Sequence, residues 1–154
     1  MGEVFEAAYG DEVAEGPRTA PDQRATEVRA AYAGLRQIRQ VTGAVPAAWE
    51  RNQPARAVAI TLEAAGFAPS ALDATTGARS ATGYRVAPGE RPGVVRVDWL
   101  GAPGSGAATE TEERLRECAG VLEEAGGWEV LAYRAGRGRW FLEVEVRMAP
   151  RGGR

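Results

Sequence analysis

Ten residues near the C-terminus alternate without a break. Trp140, Leu142, Val144, Val146 and Met148 fall on one side, and Arg139, Phe141, Glu143, Glu145 and Arg147 on the other. Successive side chains of a strand point to opposite faces, so this segment predicts a strand with one face on a core and one toward water. A half-buried strand of this kind belongs to an antiparallel sheet covered on a single side. The preceding run, residues 128–133, predicts its hairpin partner around the turn AGRG. A second hairpin is predicted from TGYRVA and VVRVDWL across PGERPG, with Tyr84, Val86, Val95, Val97 and Trp99 on its apolar face.

Helical periodicity supplies the cover. Residues 22–42 predict a long helix with Val28, Ala31, Leu35, Ile38 and Thr42 on one stripe; Asp22 suits its start and Gly43 its stop. Val45-Pro46 breaks it, and residues 46–51 predict a connection or a single turn. Asn52 is the expected N-cap of a helix with Pro54 in its first turn and Val58, Ala59, Leu62 and Ala65 on one face, ending at Gly66. Residues 68–81 predict a loop. A capping box at Thr109–Glu112 predicts a helix over 110–125 with Leu115, Cys118, Leu122 and Ala125 inward, stopped by Gly126-Gly127. The expected fold is α+β: a mostly antiparallel four-stranded sheet from two hairpins, helices on one face, and an extra N-terminal helix. LEAAGF at 62–67 and LEEAGGW at 122–128 share a helix end followed by an aromatic. This raises the reading of an αββ duplication, 53–100 and 109–148, against the plainer one that Ala-rich helices simply end this way. The expected organisation is an acidic, largely flexible arm over 1–21, one domain over 22–148 and a frayed tail over 149–154.

Composition enters through what it removes. All 19 basic residues are Arg; there is no Lys, no His and one Cys. Catalysis by Ser-His or Cys-His pairs is excluded within the chain, as are Lys Schiff bases, the P-loop lysine, an intrachain disulfide and a structural zinc site. No glycine phosphate fingerprint and no G-x-S-x-G motif is present. Asp98 and Glu143 are candidates to face each other across the sheet, without sequence support for a metal. The expectation is no enzyme, no cofactor, no metal and no small-molecule substrate. The N-terminus lacks the apolar core of a secretory signal, and no run is long enough to span a bilayer. A cytoplasmic protein without membrane contact is expected. The surplus of Ala, Gly, Pro and Arg fits a GC-rich genome, of actinobacterial, phage or mobile-element type.

Charge is segregated. Residues 1–23 carry a net of −5 and residues 133–154 a net of +4. Such ends pair within a chain, pair between chains, or serve separate partners. Two surfaces are candidates. The 22–42 helix, through Val28, Leu35 and Ile38, either packs on its own domain or forms a seam with a protein partner or a second copy. The C-terminal hairpin, through Arg134, Arg137, Arg139 and Arg147 beside Tyr133, Trp140 and Phe141, is either an ordinary solvated or protein-contacting hairpin or a nucleic-acid edge. Glu143 and Glu145 on that outward face weigh against phosphate. A winged helix-turn-helix is weaker still, because the helix after Pro54 offers base edges little beyond Arg56 and Thr61. The leading expectation is a non-catalytic adaptor or assembly protein, the alternative a nucleic-acid-binding module.

Overall fold

A computed structural model describes residues 5–13, 21–43, 45–135 and 139–146. In chain order the elements are β1 (Glu12–Val13), α1 (Pro21–Thr42), α2 (Ala48–Asn52), α3 (Pro54–Ala64), β2 (Ala71–Leu72), β3 (Arg79–Ala81), β4 (Gly83–Pro88), β5 (Val94–Leu100), α4 (Ala107–Ala125), β6 (Trp128–Ala135) and β7 (Arg139–Val146). The expected α+β architecture is present. Four antiparallel strands lie in the order β4-β5-β7-β6.

Alternation decides which side chains reach the core. Tyr84, Val86, Val95, Val97, Leu142 and Val144 are buried on the helix side, against Val58 and Leu62 of α3 and Leu115, Cys118 and Leu122 of α4. Each Val or Leu so removed from water contributes about 1.5–3 kcal/mol before the entropy of ordering is subtracted. α1 lies across α3 as a further helical layer. Its Val28 and Leu35 are buried at 2% exposure.

Several boundaries differ from the sequence reading. Asn52 ends α2, and the cap position of α3 falls to Gln53, whose side chain makes no cap bond; Pro54 takes the first helical position as expected. The Thr109 capping box does not form. α4 begins two residues before Thr109, at Ala107, because Gly106 adopts φ +86 and turns the chain early. The Thr109 hydroxyl instead donates to the Gly106 carbonyl at 2.8 Å. The expected loop 68–81 contains β2 and β3, which join β1 in a small second sheet. Two- and three-residue strands are too short to show a period, so composition alone reads them as loop.

The acidic arm is not free over its described part. Residues 5–13 lie along the outer edge of β4. The Tyr9 carbonyl accepts the Val86 N–H at 2.6 Å, and the Tyr84 hydroxyl donates to the Ala8 carbonyl at 2.8 Å. Arg56 donates to the Phe5 carbonyl and Arg24 to that of Glu6. At Gly10 (φ +95) a Cβ would stand 2.3 Å from the Tyr84 carbonyl oxygen, so only glycine permits this approach. Among the arm's described acids, Asp11 meets arginines of the middle of the chain, while Glu12 accepts the Tyr9 and Gly10 N–H groups. Asp11 takes a two-pronged contact from Arg79 at 2.8 and 2.9 Å and lies 3.6 Å from Arg85. Residues 1–4, 14–20, 44, 136–138 and 147–154 lie outside the described residues, and with them most of the expected AGRG turn and the expected frayed tail.

One contact was invisible to periodicity. Arg39, late in α1, and Glu50, in α2, are 5% and 0% exposed. They form a forked pair at 2.6 and 2.8 Å. Arg39 also donates to the Ala125 and Gly126 carbonyls at the end of α4, while Glu50 accepts the Ala47 N–H at 3.0 Å. Its guanidinium carbon lies 5.6 Å from the centre of the Trp128 ring.

Two outcomes follow for stability. Glu50→Ala strands the buried Arg39 charge and lowers unfolding stability by about 3–5 kcal/mol in a urea titration. Arg39→Met combined with Glu50→Met costs clearly less than the two single losses summed; additive losses would contradict the pairing. Acid tests the arm. Burial pushes the Asp11 carboxyl up, but bonds from Arg79 and Ser70 outweigh it and hold the group below its ordinary 3.8. A depressed carboxyl contributes stability above that ordinary value and loses it as pH falls below. The Val86 amide, held by the arm, should therefore lose exchange protection as pH drops below about 4, and Asp11→Asn should remove that dependence.

Candidate functional site

The two edges of the main sheet are unlike. β4 is sealed by the chain itself: besides the Tyr9 contact, Tyr84 donates to Ala68 at 3.1 Å and Ser70 donates back to Tyr84 at 3.0 Å. β6 is the opposite edge, and among the described residues no strand lies beyond it. Its central run, Val130-Leu131-Ala132-Tyr133, is uncharged; Glu129 and Arg134 flank it. An open strand edge offers unpaired N–H and C=O groups to any incoming strand, and such edges are usually blunted by charge, proline or cover.

The sheet face away from the helices adds apolar surface beside this edge. Leu131 is 44% and Tyr133 40% exposed. Tyr133 pairs with Phe141 across β6 and β7, their rings stacked at 5.6 Å and 21°. The Arg96 guanidinium lies 4.0 Å from the Phe141 ring centre and forks onto Asp98 at 2.9 and 3.0 Å. Glu143 sits opposite both Arg96 and Leu131, and Arg91 approaches it at 3.8 Å. The arrangement is an aromatic pair and a leucine bordered by neutralised charges.

The four candidate arginines do not form one patch. Arg134 pairs with Trp140 in register, on the helix side of the sheet, its guanidinium carbon 5.8 Å from the Trp140 ring centre. Arg139 is exposed at the start of β7 on the other side, and Arg137 and Arg147 lie outside the described residues. On the outer face, the arginine that meets the Tyr133–Phe141 pair is Arg96, already held by Asp98. The candidate stripe on α1 divides as well. Val28 and Leu35 are buried by the chain itself, whereas Ile38, in the last part of the helix, is 43% exposed. Only Ile38 of the three is available to a partner.

Other features offer less chemistry. A cleft of about 580 Å³ between the α2–α3 corner and the β4–β5 turn is lined by Tyr9, Pro54, Arg56, Arg91 and Pro92, with Glu90 its only carboxylate. Asp98 is engaged by Arg96, and Glu143 lies near Arg91. No group of three or more metal-ligating side chains occurs among the described residues. Burial pushes the Cys118 thiol up to about 12, so it stays protonated and poorly nucleophilic. No described helix is long and apolar enough to cross a membrane.

Compared with family models, curated proteins and solved structures, the chain matches none of them.

Proposed function

We propose that the chain is a non-catalytic protein-interaction module, an adaptor or assembly protein working in the cytoplasm, whose contact surface is the outer face of β6 and β7 together with the open β6 edge. The observation that carries this reading is the pair Leu131 and Tyr133. Both are large and apolar, both are exposed, and both stand on β6, the edge of the main sheet beyond which no strand lies among the described residues. Strand edges of this kind bind partners by adding a strand, with backbone bonds giving affinity and alternate side chains giving specificity. The reading also accommodates an αββ duplication. The order β4-β5-β7-β6, antiparallel throughout, is what a two-fold relation between two αββ units would generate.

The nucleic-acid alternative draws less support. Its arginines are divided between the two sides of the hairpin, and Glu129, Glu143 and Glu145 share the outer face with the aromatics. With Glu143 and Glu145 sharing Arg91, this face offers a phosphate backbone little net positive charge.

The test is selection of random peptides on the immobilised protein, compared with the Leu131→Lys/Tyr133→Lys double variant. Both positions are exposed, so the substitutions should alter stability by less than about 1 kcal/mol. The expected result is enrichment of extended apolar peptides on the wild type, lost on the variant and little changed between low and high salt. Enrichment that survives the double variant would contradict the proposed surface. Binding of single-stranded DNA or RNA that falls steeply with salt would favour the alternative.

A further inference from the structure

We propose that the occupant of the open β6 edge is a second copy of the same chain. Two β6 strands then pair antiparallel about a two-fold axis at Ala132, joining two four-stranded sheets into one of eight. This rests on the reading of β6 as the contact surface and names the partner.

The register follows from parity and charge. In an antiparallel pair, directly opposed residues share a face of the sheet, so a symmetric pairing is centred on a residue. Centred on Ala132, Leu131 of each copy faces Tyr133 of the other, and Tyr133 is already stacked on Phe141. Both exposed apolar residues of the strand are then covered twice over, in one continuous cluster on the outer face. The same centre sets Glu129 opposite Ala135 and Arg134 opposite Val130, so no like charges meet. Neighbouring centres do worse. On Leu131, Glu129 faces Tyr133; on Val130, Glu129 faces Leu131; on Tyr133, Leu131 faces only Ala135. A foreign strand would have to bring this complementarity with it, whereas β6 supplies both halves itself. Pairing of this kind is isologous and closes as a dimer, so the open edge is consumed and growth stops. The β4 edge cannot serve in the same way, because residues 8–11 and 68–70 already occupy it.

The experiment has two arms. Sedimentation equilibrium of the full chain should give a dimer at tens of micromolar, and the Leu131→Lys/Tyr133→Lys variant should sediment as a monomer with unchanged far-ultraviolet circular dichroism. In a Cys118→Ser background, Ala132→Cys should form an intermolecular disulfide under mild oxidation. On the axis the two Cα atoms stand about 4.5–5.5 Å apart, inside disulfide range. Glu129→Cys should not cross-link, because the offset of six residues separates its two copies by roughly 20 Å. A wild type that remains monomeric at tens of micromolar overturns the proposal; if it still selects peptides through Leu131 and Tyr133, the contact surface stands and only the second copy fails. A dimer that survives the double variant, or one that cross-links at position 129 and not at 132, also overturns it.

Discussion

The buried pair of Arg39 and Glu50 is the constraint on which the arrangement of the helices depends. Three separate chain segments end at it: the last turn of α1, the short α2 and the C-terminus of α4. Arg39, itself on α1, reaches both of the others. Its fork neutralises Glu50, and its remaining donors reach the Ala125 and Gly126 carbonyls at the end of α4, the first of which also accepts from Arg36. Glu50 in turn caps α2 through the Ala47 N–H. Burying two charges is expensive, and such a pair adds little net stability against an apolar replacement. Its effect here is geometric. It fixes where α1 ends relative to α4, and it lays a cation over Trp128 at the first residue of β6. The strand that forms the open edge is thereby anchored at its start.

A second asymmetry builds on the first. The residues ahead of α1 return along β4, held by Tyr9, Asp11 and Gly10, and seal that edge with the chain's own backbone. Nothing described does the same for β6. The chain therefore spends an ordered arm on one side of its sheet and leaves eight residues of strand open on the other. The two exposed apolar side chains of that strand stand on its open side of the sheet, next to the aromatic stack. The same face carries carboxylates already matched by Arg91 and Arg96, which leaves a surface suited to another strand and poorly suited to phosphate.

Much of this was legible in the residues. The alternation through Leu142 and Val144, the hairpin at Tyr84–Val97 and the stripe Leu115–Cys118–Leu122 each repeat a period often enough to declare the element and its buried side. The packing of the sheet against α3 and α4 follows from those three runs. What escaped has a common cause: single contacts leave no period. Arg39 lies one residue from Ile38 on α1 and off the apolar stripe, yet it is the arginine that is buried, against Glu50, while Ile38 of the stripe is 43% exposed. Asp11 and Arg79 are distant in the chain, so the ordered arm was unreadable. At the candidate site, Phe141 was visible as an outward aromatic and Tyr133 as an aromatic of the same hairpin, but the free edge depends on strand order, which no local pattern encodes.

One edge of this sheet is sealed from within, and the other, we propose, pairs with a second chain. Amide hydrogen exchange at two protein concentrations tests it most directly. The account predicts that outward amides of residues 129–135 become more protected as concentration rises from well below to well above micromolar, while the Val86 amide, held by the Tyr9 carbonyl, exchanges at the same rate throughout. Protection in β6 that does not change with concentration, or that rises at β4 instead, would contradict it.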